Sequence, residues 1–282
     1  MALRTKGKLN WLEQHLAEGL LVDAAWLQRH GYSSALRSQY VSADWLQQPA
    51  RRVYRRPRGG LTWQQVVVSL QTLLDRPLAV GGRTALELQG FAHYVPHTRA
   101  EIHLYGPDGP PSWVHKLPLD ARFVYHNDAR LFSKQTVSAA FLHIDRSLNS
   151  EERKPATASH GGLAVQSWGQ WGWPLIVSTP ERAVLELLDE LPARESFHQA
   201  DKLMEALTNL SPRRLQSLLV DCRSIKVKRL FFFFADRHEH AWVRRIDKSA
   251  IDLGRGKRML VKGGRFDAAH QITVPGDLDG VQ

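Results

Sequence analysis

The run Ser33-Ser34-Ala35-Leu36-Arg37-Ser38-Gln39 carries three hydroxyls, a guanidinium and a primary amide. That set has the chemistry of base-edge and phosphate recognition. Arg presents two donors to guanine, Gln pairs a donor and an acceptor with adenine, and Ser offers a hydroxyl while its short side chain allows close approach. Ser33, Ser34, Arg37, Ser38 and Gln39 are therefore the candidate residues of a recognition helix. Further on, Arg51, Arg52, Arg55 and Arg56 surround Val53 and Tyr54. In a strand, 52 and 54 face one way and 53 and 55 the other. The four cations converge only on a partner that meets both sides of an exposed ribbon, as a phosphate backbone does. Arg4, Lys6 and Lys8 can add a flexible basic arm. A second candidate basic surface is Lys226, Lys228, Arg229, Arg255, Lys257, Arg258, Lys262 and Arg265. A further DNA contact, an RNA contact, a surface used against a partner and a solvated structural turn are all readings of it.

Other chemistries fail on spacing. LGRGKRMLVKGGR (253–265) is glycine-rich and basic but lacks the G-x-x-x-x-G-K-[ST] order that cradles phosphates. His238 and His240 lie near Asp236 and Glu239 without the H-E-x-x-H interval of a helical zinc site. His126, Asn127 and Asp128 read as a turn after a strand. No nucleophile elbow and no nuclease trio of carboxylates and lysine is present. VGGRTALELQG (80–90) opens a helix with glycines, an anion cradle in principle. No lysine or acidic metal ligand accompanies it, so a tight strand-to-helix turn is its expected use. The single cysteine, Cys222, excludes a disulfide framework or a Cys-based zinc site within one chain. No catalytic residue, cofactor or metal is expected.

The elements that must position these residues follow from periodicity. Leu9, Leu12 and Leu16 recur at helical steps over 9–18. Asp23 caps a short helix over 24–30, which Gly31 ends, and Ser33 or Ser34 caps a third over 34–43. Leu36 and Tyr40 share the core-facing side of that third helix, leaving Arg37, Ser38 and Val41 on other faces. Strands at 45–47 and 52–55 flank a turn at 48–50. Three helices and a ribbon are the order of a winged helix-turn-helix, placed at 1–60. Arg56-Pro57-Arg58-Gly59-Gly60 reads as a linker to a larger α+β domain over 61–282. There the pattern gives helices at 61–75, 81–90, 178–191, 196–208 and 211–221. It gives strands at 100–105 and 121–126, a buried strand at 226–238, and strand and loop for the remainder up to 272–275.

Charge supports the same division. The chain of 282 residues has a net charge of +10. Residues 1–60 hold ten Lys and Arg against four Asp and Glu, and 223–265 hold 13 against four, around a near-neutral middle. Two basic blocks favour a polyanionic partner over evenly solvated charge. The longest apolar run, LFFFFA, is far short of the ~20 residues that span a bilayer. With one cysteine and no signal-type N-terminus, a reducing cytoplasmic setting is expected. No heptad pattern marks a dimer helix, so two monomers landing separately on an inverted repeat is the expected stoichiometry.

The segments YSSALRSQYVSADWL (32–46), VYRRP (53–57), VGGRTALELQGFAHYV (80–95), STPERAVLELL (178–188), VKRLFFFFADRHEHAW (227–242) and IDLGRGKRMLVKGGRFDAAHQITVP (251–275) together resemble the AbiEi family of antitoxins from type IV toxin–antitoxin pairs. They run in the family's order over nearly the whole chain. The resemblance implies an N-terminal domain that binds inverted repeats in its own promoter and represses the operon. It implies an antitoxic C-terminal domain and a nucleotidyltransferase-like toxin that is countered without a stable complex. The chain departs from the family in its wing: where the family tends to have glycine before WL and before VY, Asp44 and Arg52 stand here. Two other readings of the residues are a nucleic-acid-modifying enzyme targeted by the winged helix and a protein-binding adaptor. Converging carboxylates would mark the first and an apolar 223–265 surface the second.

Overall fold

The computed structural model describes residues 2–91, 100–149 and 160–278, with side chains from residue 7 onward. The N-terminal unit runs α1 (Ala2–His15), β1 (Leu21–Asp23), α2 (Ala24–Arg29), α3 (Ser34–Ser42), β2 (Gln47–Ala50) and β3 (Val53–Arg55). The three helices and the ribbon appear in the expected order, and β1 adds a strand to give the sheet β1-β3-β2. Asp23 caps α2 by accepting from the Trp26 amide at 2.7 Å, and Ser33 caps α3 by accepting from Leu36 at 3.3 Å. Gly31, at φ 80°, makes the left-handed turn between them.

The ribbon differs from the expectation by two residues. Pro49 lies inside β2, tolerated because β2 is an edge strand. The reversal is Arg51-Arg52, with Arg52 at φ 65°. Tight hairpins need positive φ, a conformation glycine adopts without strain. Asp44, at φ 56°, turns the chain from α3 into β2.

The second part runs α4 (Trp63–Thr72), β4 (Ala79–Val80), α5 (Gly82–Leu88), β5 (Ala100–Gly106), β6 (Ala121–Asn127), α6 (Val137–Phe141), β7 (Leu163–Trp168), β8 (Trp173–Ser178), α7 (Pro180–Asp189), α8 (Phe197–Ala206), α9 (Pro212–Asp221), α10 (Ile225–Arg237), β9 (Arg265–Asp267) and β10 (Ile272–Val274). The fold is mixed α and β, as expected. Its centre is a five-stranded sheet in the order β6-β5-β4-β8-β7, in which β5 and β6, and β4 and β8, are parallel. The hairpin β7–β8 carries too little alternation to be read from sequence.

The expected buried strand at 226–238 is instead α10, capped by Ser224. Its run LFFFFA is apolar on every side, so it has no period to distinguish helix from strand. The helix satisfies it because α7 and α8 cover one side while β10 and the Trp242 region cover others.

Alternate residues of the sheet serve two cores. Val80, Ile102, Leu104, Leu175 and Val177 face α4 and the N-terminal unit, in one apolar cluster with Leu12, Leu16, Val53 and Tyr54. Tyr105 and Ile176 face the other way, and α7–α10 build a further layer. Polar stitches fix α4 to both parts: Ser69 accepts from the Leu21 amide at 3.0 Å, and Gln71 bonds the backbone of Leu78 and Ile176. The segment 56–60 is tied down as well. Arg56 donates to the carbonyls of Glu13 and Leu16, and Arg55 to those of Arg58 and Gly59.

The glycines of 80–90 hold an anion that the chain itself supplies. Glu186 Oε2 accepts from the Gly82 amide at 2.9 Å, and Oε1 takes Ser178 at 3.1 Å and Arg182 at 2.7 Å. Arg182 continues to Asp128 at 3.2 Å. Burial raises the Glu186 pKa, partly offset by Arg182.

Candidate nucleic-acid interface

Helix α3 begins where Ser33 turns its hydroxyl inward as a cap. Its exposed side is Ser34, Ala35, Ser38, Gln39 and Ser42, small and polar along its length. Its inner side is Tyr40 and, contrary to the sequence reading, Arg37. Arg37 is 9% exposed; its Nη1 donates to the carbonyls of Tyr32 at 2.9 Å and Ala24 at 3.3 Å, and the guanidinium lies over the Tyr54 ring. The residue sits three positions before Tyr40, on the same helical face, so it bridges α2, α3 and β3 and is not offered to a groove. Ser34, Ser38 and Gln39 keep the exposure expected of them; Leu36 is half-buried.

The four wing arginines divide. Arg51 and Arg52 form the exposed hairpin tip. Arg55 is 3% exposed because β3 is the central strand, and burial lowers its pKa. Arg56 spends its donors on α1 and on Glu18, 3.3 Å away. Both are struts, which corrects their assignment to the contact surface. Lys8 is likewise structural: its Nζ donates to the Gly31 carbonyl and lies over Tyr32, while the Lys8 carbonyl accepts from the Tyr32 hydroxyl. The side chains of Arg4 and Lys6 lie outside the described residues. Trp45, expected to open a strand at 45–47, instead precedes β2 and is 44% exposed at the exit of α3, edge-on to Tyr40. A strand pattern around it gave no signal of that position.

The second basic block also splits. Lys228 and Arg229 are buried in α10, and Lys226 is half-buried and paired with Asp189 at 3.4 Å. These three leave the candidate surface. Arg255, Lys257, Arg258, Lys262 and Arg265 remain exposed in the loop and on β9.

Elsewhere, tertiary packing assembles a chain of titratable groups. His126 Nδ1 lies 3.0 Å from Glu190 and its Nε2 2.9 Å from His103 Nδ1, with Tyr105 stacked on His126. Burial and the neighbouring His126 lower the His103 pKa to about 4. Burial acts to raise the Glu190 pKa, but its hydrogen bond with His126 and the nearby positive charge bring it below the ordinary value. Among the described residues, no group of three or more His, Cys, Asp or Glu could hold a metal ion. No helix among them is long and apolar enough to cross a membrane.

Against this geometry stand the comparisons. Residues 99–275 match the family described as transcriptional regulator, AbiEi antitoxin, type IV toxin–antitoxin system, and residues 5–97 match the N-terminal domain of the same antitoxin. The chain belongs to the AbiEi antitoxin family. Its place there makes it a transcriptional regulator of the type IV class, and the family's division into two parts falls between α5 and β5. No curated protein matches it in sequence. Among solved structures, the RV2827C protein from Mycobacterium tuberculosis is similar in fold, with a TM-score of 0.53 over 90% of this chain and 85% of that one. At 15% identity that likeness between an AbiEi member and the mycobacterial protein speaks for shared fold alone.

Proposed function

We propose that this AbiEi-family regulator binds duplex DNA through its N-terminal unit as a winged helix-turn-helix. Helix α3 enters the major groove with Ser34, Ser38 and Gln39 toward the bases and Ser33 near the phosphates. Arg51 and Arg52 at the hairpin tip hold the flanking backbone. The observation that carries this reading is the exposed, small, polar side of α3, set in the same rigid unit as a protruding pair of arginines. Small residues permit the close approach a groove requires, and Gln39 has the donor–acceptor pair suited to adenine. The DNA is the inverted repeat of its own promoter, so the chain represses the operon it belongs to. It opposes a nucleotidyltransferase-like toxin without a stable complex and without an enzymatic step of its own. Both proteins act in the cytoplasm, and the regulator lands on its operator as separate monomers.

The test is an anisotropy titration of the full chain on a duplex from upstream of its own operon and on a scrambled duplex, repeated across salt. Preference for the operator is expected. Arg51→Ala/Arg52→Ala should lower the log–log salt slope by about 1.8, since each lost phosphate contact removes ~0.9. Equal binding to both duplexes, or none at low salt, would falsify the reading. An unchanged slope would take the wing off the DNA.

A further inference from the structure

We propose that the loop 253–265 and the hairpin β9–β10 form a surface for single-stranded nucleic acid, separate from α3 and the wing. The loop has almost no regular structure, yet it is held from within. Buried Arg229 donates to the carbonyls of Leu253 and Gly256, both at 2.7 Å, and of Gln271 at 3.1 Å. Thr273 Oγ1 accepts from the Leu260 and Val261 amides at 2.8 and 3.0 Å. His270 lies between Asp267 at 2.8 Å and Asp236 at 3.1 Å, which ties the hairpin to α10. Gly254, at φ 64°, packs on Ile225. A buried cation thus spends its donors on shaping the loop.

The charge on this frame is left for a partner. Arg255, Lys257, Arg258 and Lys262 are exposed, and among the described residues none has a carboxylate within ion-pair distance. The N-terminal arginines behave differently: Arg56 and Arg58 both take Glu18. Like charges fixed on one rigid loop repel, and a polyanion relieves that repulsion. Apolar groups stand among the cations. Phe266 is 37% exposed with Lys257 Nζ 4.9 Å from its ring centre, and Met259 is 74% exposed. A duplex presents mainly phosphates here, because its bases are stacked inside, and would leave the ring uncovered. A single strand offers both phosphates for the cations and free base faces for Phe266.

The experiment titrates the full chain onto fluorescein-labelled 15-nucleotide dT and rU strands and onto a random duplex of the same length, at several salt concentrations. Binding to either strand is expected, and the tighter one shows which of the two polymers is preferred. Phe266→Leu should weaken strand binding about 10-fold, the effect of one lost base–ring stack, with duplex binding unchanged. Replacing Arg255, Lys257, Arg258 and Lys262 with Gln should reduce the strand salt slope by up to ~0.7 per contact. Lys257→Gln/Lys262→Gln gives the same reading should the fourfold variant unfold in a circular-dichroism melt. Arg51→Ala/Arg52→Ala should leave strand binding intact, which separates this surface from the proposed operator site. The proposal is overturned by any of three results: no strand binding at 50 mM salt, a Kd unmoved by Phe266→Leu, or an equal loss on strand and duplex in the charge variants.

Discussion

The guanidinium of Arg37 donates to the carbonyl oxygen of Tyr32, 2.9 Å away, across the turn that joins α2 to α3. It also donates to the Ala24 carbonyl, so one side chain ties α2 and the turn to the inner side of α3. Arg37→Ala leaves two carbonyls without this donor. Unpaired buried polar groups cost about 1–3 kcal/mol each. A urea melt should therefore show a loss of roughly 2 kcal/mol or more, while the ratio of operator to scrambled affinity stays the same for the folded fraction. A changed ratio with unchanged stability would return Arg37 to the DNA surface.

Ser38 makes the opposite prediction. It is exposed in the middle of α3, so Ser38→Glu should hardly alter the melt. A carboxylate facing the groove should reduce operator affinity more than about 10-fold, since repulsion from phosphate and a lost close contact act together. Retained affinity would mean that this face points away from the duplex.

Two of the left-handed non-glycine positions, both in the N-terminal unit, can be relieved. Arg52 sits at φ 65° and Asp44 at φ 56°. Glycine carries no Cβ penalty there, though it has more freedom to lose on folding. Arg52→Gly should stabilise by up to about 1 kcal/mol in a thermal melt and weaken DNA binding by loss of charge. Asp44→Gly should stabilise less, because Asp tolerates this region, and should strengthen binding by removing a negative charge beside α3.

Acid should destabilise the protein through the chain Glu190–His126–His103. The His103 pKa is lowered from 6.5 to about 4 in the fold. Between those values the unfolded chain binds a proton that the folded one refuses, so stability falls as pH drops through 6.5 and stops falling near 4. The difference is worth roughly 3 kcal/mol at most. Glu190, lowered in the fold, acts in the same direction at the acid end. Denaturant melts from pH 7 to 5 should show the decline, and His103→Gln should flatten it. A slope that survives His103→Gln would have its origin elsewhere.

Gly81 has no room for a side chain: a Cβ would fall against the Glu186 carboxylate and the Tyr105 ring. Gly81→Ala must push apart α5 and α7 or break the Glu186 network. A loss above about 3 kcal/mol, or failure to fold, is expected. A neutral substitution would mean that the Glu186 carboxylate can move.

The sequence alone determined what is local. Asp23 and Ser33 cap their helices because a short acceptor side chain can reach amides three residues on, whatever lies around it. Gly31 and the leucine periodicity of α1 are of the same kind, as is the family likeness, which is a property of order along the chain. The tertiary structure decided which cations are free. Arg37, Arg55, Arg56 and Arg229 look like surface charge in sequence, yet Arg37, Arg56 and Arg229 are each turned inward by a carbonyl from another element, and Arg55 is covered because β1 and β2 flank its strand. It also decided that LFFFFA is helix, since a run apolar on all sides has no period and takes the shape its neighbours leave for it. A donor's partner and a buried segment's surroundings are contacts between distant residues, so no single stretch of chain contains them.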